Sequence, residues 1–405
     1  MCAEQKAGHG GAWWDDRDGN GGRKRGRLEV TKQGRSWEQR MGVGGLRGWV
    51  RQSGVSLDTD ATERDSRTMF PPPSPTHLVS IGVNGWAWRR GCRWGRALGW
   101  GLLLATGWAA EPAAKNEAVE VKLNVAYADN ANPRQTLDLY LPRERVAGRR
   151  LPVVVFIHGG GWQNGNKSAG MSWVQPYAAS GHYVGVSVGY RLAGEAPWPA
   201  QIHDCKAAVR WLRANAARYG LDADKIGVEG NSAGATLALL LGASAGIAEL
   251  DGALGPHVAE SSRVAAVVNF FGRINFLAEP VSARAGSGQA AALTGRLKVL
   301  FGGTLEEKAE LARQASPVNH LGAGAVPVMT AHGTSDELVP YVQALELDAA
   351  MKRGGVTHLL IPMTGFGHGF QNAEANRRAR QFFDRYLRGV VTEISTEAIV
   401  APAKK

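Results

Sequence analysis

Residues 229–235 read EGNSAGA, with a serine at the centre of Gly230-Asn231-Ser232-Ala233-Gly234. A serine hydroxyl is a weak nucleophile by itself. It needs a base, an acid that orients the base, and hydrogen-bond donors for the oxyanion that forms when it attacks a carbonyl. The sequence offers a candidate for each part. The glycines of His158-Gly159-Gly160-Gly161-Trp162 let backbone N–H groups approach an oxyanion closely, and the N–H of Ala233 adds another. A phosphate loop is the competing use of such glycines, but no Gly-Lys-Ser/Thr follows. Asp336, in AHGTSDELVP, is the candidate acid, with Glu337 as runner-up. A helix-capping role explains an isolated Asp equally well. His368, in TGFGHGF, is the candidate base, although the chain holds 10 histidines and a lone one in a loop is commonly just exposed. Order weighs against chance: Ser, then acid, then His is one of the known chain orders of such sites. In that chemistry His368 takes the Ser232 proton, Asp336 fixes the imidazole tautomer, and backbone N–H groups hold the oxyanion.

The elements around these residues fit the roles. KIGVEG is a short apolar strand before Ser232, and SAGATLALLLGASAG is a helix after it, the strand–turn–helix that an exposed nucleophile requires. LPVVVFIH and HYVGVSVGY are β-branched runs of buried-strand type. PAQIHDCKAAVRWLRANAARYG reads as a helix stopped by Gly220. SRVAAVVNFFG, AVPVMTAHG and VTHLLIPM are further strands, and VPYVQALELDAAMKRGG and EANRRARQFFDRYL are helices between and after them. VEVKLNVAYA and QTLDLYLP alternate, as antiparallel edge strands do. Strands alternating with helices predict an α/β domain over 118–390, with a mostly parallel central sheet and helices on both faces. The segment 274–318 is the least regular and is expected to be an insertion roofing the site; 391–405 reads as a flexible tail.

The net charge of +11 raises a nucleic-acid partner, but its distribution argues against one. Residues 1–110 hold 17 Lys and Arg against 10 Asp and Glu, a net of +7, and 111–405 hold 30 against 26, a net of +4. The first 110 residues also carry 9 of the 13 Trp and 20 of the 53 Gly, with no persistent period. Residues 1–88 therefore read as a disordered or mis-started extension. Arg89, Arg90, Arg93 and Arg96 precede the apolar ALGWGLLLATGWA, and Gly107-Trp108-Ala109 is a small-x-small site. This predicts a secretory signal peptide at 89–109, a start near Met69, a linker at 110–117, and a secreted or periplasmic chain. A membrane-anchoring helix is the competing reading. Of Cys2, Cys92 and Cys205 only the last follows the signal, so no disulfide is expected within the domain; Cys205 reads as a packed helix residue. No metal cluster or cofactor motif is expected.

The motifs HGGGW, YRLAGEAPWPAQIHD, RWLRANAARYGLDADKIGVEGNSAGA, HGTSDELVP and GFGHGF together resemble the hormone-sensitive-lipase-like esterases. Within that group the chain is most similar to the secreted bacterial branch related to bifunctional carbohydrate and feruloyl esterases, in which no helical cap precedes the sheet. The resemblance covers about 118–390 and implies an α/β-hydrolase fold and a serine carboxylesterase acting on small acyl esters, such as acetyl or feruloyl groups on polysaccharide. It implies Ser232, Asp336 and His368 as the triad, with Gly160, Gly161 and Ala233 as oxyanion donors and Gly159 as an alternative in the turn. His158 is expected to orient the turn, and Trp162 to wall the substrate site. Tyr190 and Trp198 are expected in the core, and Arg191 in an ion pair for which Asp204 is a partner. Three departures stand out. Ala235 replaces a usual Gly, Arg273 and Asn275 in FFGRIN stand where relatives often show Pro and Asp, and the first 110 residues match nothing in the family. A prolyl-oligopeptidase-type peptidase is a second reading, but 118–150 has no room for its propeller. A non-catalytic binding protein is a third, though such proteins typically lose a triad member.

Overall fold

The computed structural model describes residues 13–17, 23–27, 117–146, 148–278, 288–322 and 324–402. The segment 89–109, expected to be a signal peptide, Cys2, Cys92 and most of the extension at 1–88 lie outside the described residues. The chain falls into two compact units, residues 1–102 and 103–405. What is described of the first is a hairpin of β1 (Trp13–Arg17) and β2 (Arg23–Arg27), where the sequence showed no strand period. Its register sets Asp15 opposite Arg25 and Asp16 opposite Lys24.

The second unit contains a nine-stranded sheet. Its strands are β3 (Val119–Ala126), β4 (Thr136–Pro142), β5 (Leu151–Ile157), β6 (Val184–Val188), β7 (Leu221–Asn231), β8 (Ala266–Phe270), β9 (Val328–Gly333), β10 (His358–Thr364) and β11 (Ile399–Val400). Their spatial order is β11-β10-β9-β8-β7-β5-β6-β4-β3, antiparallel at β3/β4 and β4/β6 and parallel elsewhere. The helices are α1 (Met171–Ala179), α2 (Ala200–Ala214), α3 (Ala216–Tyr219), α4 (Ala233–Ala243), α5 (Ala248–Asp251), α6 (Gly288–Phe301), α7 (Ala309–Gln314), α8 (Val342–Arg353) and α9 (Ala373–Arg388). Successive strand side chains point to opposite faces. On β5, Val153, Val155 and Ile157 join a core with Ile202 and Leu212 of α2, Leu237 of α4 and Leu347 of α8. Val154 joins a second core on the other face with Tyr177 of α1 and Phe382 and Phe383 of α9. That is why the strand reads as a continuous apolar run. Helices thus cover both faces of a mostly parallel sheet, as expected.

Several local expectations hold. Arg191 pairs with Asp204 at 2.7 Å, Tyr190 and Trp198 are core residues, and Cys205 is buried in α2. Three need correction. Only β3 is an edge strand of the pair read as edges; β4 lies inside the sheet and is buried along its whole length. Its polar Asp138 is buried with partners, accepting from Asn124 N–H and facing Lys167 Nζ at 3.4 Å. The segment 274–318 is not irregular throughout, because it carries α6 and α7. Leu297, Leu300 and Phe301 anchor α6 in the core. Residues 391–402 are not a free tail: β11 adds in parallel to β10, and buried Arg378 of α9 donates to the carbonyls of Ser395 and Glu397.

Candidate active site

The loops after β5, β7, β9 and β10 meet at the carboxyl ends of the parallel strands, where ligands of open α/β sheets bind. The turn from β7 into α4 holds Ser232 at φ +51° and ψ −122°, a costly backbone conformation for a residue with a side chain. Two close contacts force it. A Cβ on Gly234 would lie 2.0 Å from the Ile157 carbonyl oxygen, and one on Gly230 would lie 2.5 Å from that of Gly234. The Ser232 N–H donates to Phe270 O at 2.9 Å, tying the turn to β8. Ala235, where a glycine was expected, is fully buried against Gly272; a Cβ there would come within 2.8 Å of the Ala235 methyl. The extra methyl is therefore accommodated by a glycine across from it.

The structure brings Ser232, His368 and Asp336 together. His368 Nε2 lies 2.9 Å from Ser232 Oγ, and His368 Nδ1 lies 2.7 Å from Asp336 Oδ2. A carboxylate can only accept, so Nδ1–H donates to Asp336 and Nε2 is left to accept the Ser232 O–H. The Phe271 ring meets the His368 ring edge to face at a centroid distance of 4.9 Å and limits its rotation. Asp336, not its neighbour Glu337, faces the histidine. Burial opposes its charge, but hydrogen bonds from His332 and His368 and the Val339 N–H outweigh that and hold the carboxyl well below the usual carboxylate range. Asp336 Oδ1 accepts from the N–H groups of Leu338 and Val339.

The glycine turn sits beside the serine. A Cβ on Gly159 would meet Ser232 Cβ at 3.3 Å. Gly160 and Gly161 have φ of +117° and +60°, which L side chains rarely adopt. The Gly159 N–H donates to Asn231 Oδ1 at 2.7 Å and is thereby spoken for. The N–H groups of Gly160, Gly161 and Ala233 make no hydrogen bond among the described residues, which leaves those three as free donors. His158 is buried, stacked on Tyr190 at 4.3 Å, and bonded through Nδ1 to Gly159 O at 2.8 Å. Burial pushes its imidazole down to about 4, so it stays neutral and stiffens the turn. Trp162, read as a substrate wall, is 3% exposed and packs on Phe276 at 5.4 Å; its Nε1–H has no partner among the described residues.

Two residues here were not singled out in the sequence. Asn231 bridges the serine turn to the glycine turn. His332, buried at the end of β9, donates from Nε2 to Val339 O at 2.8 Å and lies 3.4 Å from Asp336 Oδ2. Its place four residues before Asp336 was the available signal.

Parallel strands that present a serine turn, a glycine turn and a histidine–carboxylate pair at one edge define an α/β-hydrolase. The chain belongs to the BD-FAE family, which matches residues 137–351, so the resemblance read from the motifs holds at the level of family. It is 33% identical over 257 residues to esterase LipC of Mycobacterium tuberculosis, an alignment covering 62% of this chain and 60% of LipC. The chain thus spans less than two thirds of that relative's length. Among solved structures it is similar to a truncated carbohydrate esterase from gut microbiota, with a TM-score of 0.61 and 27% identity over 68% of this chain and 99% of that one. It is also similar to a bifunctional GH43-CE protein of Bacteroides eggerthii, with a TM-score of 0.60 and 30% identity over 66% of this chain and 35% of that one.

Proposed function

We propose that the protein is a serine carboxylesterase that works through an acyl-enzyme, with Ser232 as nucleophile, His368 as base and Asp336 as the orienting acid. The continuous hydrogen-bonded chain from Ser232 Oγ through His368 to Asp336 carries this reading. His368 Nε2 takes the Ser232 proton as Oγ attacks the ester carbonyl. The oxyanion falls to the free N–H groups of Gly160, Gly161 and Ala233, each such donor contributing about 10²–10³ in rate. The C–O bond to the alcohol then breaks, and the proton on His368 goes to the departing oxygen. Water attacks the acyl-serine, His368 takes its proton, and the acid leaves as Ser232 recovers its own.

Similarity to an esterase and a carbohydrate esterase supports ester bonds over peptide bonds. We extend the reading to small acyl groups, acetyl or feruloyl, on polysaccharide, with Trp162 shaping the site beside the glycine turn. Export through the 89–109 leader goes with a polysaccharide substrate, and among the described residues no helix is long and apolar enough to cross a membrane. The test is turnover of 4-nitrophenyl acetate, methyl ferulate and acetylated xylan by the wild type and Ser232→Ala. We expect the substitution to remove at least about 10³-fold of the rate with the thermal midpoint intact. A folded Ser232→Ala protein that still cleaves these esters at the wild-type rate would refute the assignment.

A further inference from the structure

Two arginines beside this site have no acidic partner among the described residues. Arg273, on the loop after β8, is 4% exposed and lies beside the Phe276 ring, its Cζ 5.9 Å from the centroid. Its only side-chain hydrogen bond among the described residues is a long one, 3.5 Å from Nη1 to the Asn275 carbonyl. The Asp336 charge favours it, yet the two make no ion pair, and the carboxylate oxygens of Asp336 are taken by His368, His332, Leu338 and Val339. Burial pulls the Arg273 guanidinium down to about 10, which leaves it charged at neutral pH. A buried cation without a counter-ion is costly, so its retention calls for a purpose. Arg296 of α6 lies over the glycine turn. Its Cδ and Nη1 would be 3.0 Å from a Cβ on Gly161, and it makes no hydrogen bond or ion pair among the described residues. Phe276 packs against both Arg273 and Trp162, and Trp162 follows Gly161, the glycine beneath Arg296.

Resting on the esterase reading, we propose that Arg273 and Arg296 bind a carboxylate carried by the ester substrate, so that the site selects anionic esters over neutral ones. A guanidinium fork matches a carboxylate with two parallel N–H donors, and a partly buried one does so with little competition from water. The carboxylate has two sources: the acyl half, as in the monoester of a dicarboxylic acid, or the alcohol half, as in an acetylated uronic acid.

The test compares kcat/KM for matched pairs in the full chain. Phenyl monosuccinate against phenyl butyrate probes the acyl half; acetylated glucuronate against acetylated glucose probes the alcohol half. The wild type should favour the anionic member of one pair by about 10- to 100-fold, the worth of a charge-assisted hydrogen bond pair. Arg296→Gln, a half-exposed position, and Arg273→Met should each cut that ratio about tenfold or more. A wild-type ratio near one in both pairs overturns the inference while leaving the esterase intact, as does an unchanged ratio in Arg296→Gln. If no ester turns over, the esterase reading fails, and binding decides the inference separately. Succinate should then raise the thermal midpoint of Ser232→Ala but not of Ser232→Ala/Arg296→Gln, and equal responses overturn it.

Discussion

The hydrogen bond from the Gly159 N–H to Asn231 Oδ1 ties together the two loops that, in the proposed reaction, act on the same carbonyl. Asn231 touches no reacting atom, so its effect runs through the turn. Asn231→Ala should lower kcat about 10- to 100-fold, with a smaller change in KM, because misplaced donors weaken mainly the transition state. Asn231→Asp keeps an acceptor at the same place and should recover most of the loss; equal damage from both would mean that the turn holds without the bond. Two residues earlier on β7, Glu229 lies against Tyr177 of the second core. Its Oε2 accepts from the Tyr177 hydroxyl at 3.1 Å, and its Oε1 has no partner among the described residues. Burial pushes this carboxyl up to about 8, against the pull of the Tyr177 hydroxyl and the Arg380 charge. Between the ordinary value near 4.5 and 8 the native state holds a proton that the unfolded chain has lost. Stability therefore falls as pH rises through that window, by a few kcal/mol in total. Glu229→Gln keeps the shape and removes the titration. Its thermal midpoint should match the wild type near pH 5 and exceed it at pH 9, and parallel pH curves would exclude the effect.

At the scale of elements, the loop that carries His368 adjoins a strand that local patterning does not show. β11 pairs Ile399 and Val400 with Met363 and Thr364, and the Ala401 N–H donates to Thr364 O at 2.8 Å, immediately before the loop that carries His368. Removing residues 391–405 would free this edge of β10 and strip Arg378 of two carbonyl partners. The truncated chain should melt several degrees lower and lose more in kcat than in KM, because the histidine loop is less well held. An unchanged kcat would detach β11 from the site. The elements that were legible share one trait: each buries a continuous or periodic apolar surface by itself, as LPVVVFIH and EANRRARQFFDRYL do. Those missed do not. α6 reads GQAAALTGRLKVLF, with glycines and small residues where a strong helix pattern would be; Leu297, Leu300 and Phe301 near its end are buried in the core, and Leu293 packs against it. β11 has two residues and draws its strand character from β10. Ser232, Asp336 and His368 stood out because each sits in a glycine-bearing turn after an apolar strand; the bond from Gly159 to Asn231 is a tertiary contact that leaves no mark in local spacing.

At the scale of the molecule, strand order was not readable, because it depends on where each crossover lands and not on any strand's own pattern. β5 lies between β6 and β7, and this places the glycine turn directly beside the serine turn. The site is thus a product of topology more than of any single motif. Both large cores are built from residues between Tyr127 and Ile394, and the family match at 137–351 falls in the same stretch. The charge is divided differently: residues 1–110 supply +7 of the net +11. It follows that the unit 103–405 should fold cooperatively and keep the site, since its apolar surface is buried against itself. Expressed alone, it should show one thermal transition within a few degrees of the corresponding transition of the full chain, and the same kcat/KM for 4-nitrophenyl acetate. It should also bind an anionic resin more weakly at low salt, because +7 of the net +11 is removed and +4 remains. Failure to fold, or a kcat/KM reduced tenfold in a folded sample, would assign the first 102 residues a part in the stability or the chemistry of the second unit.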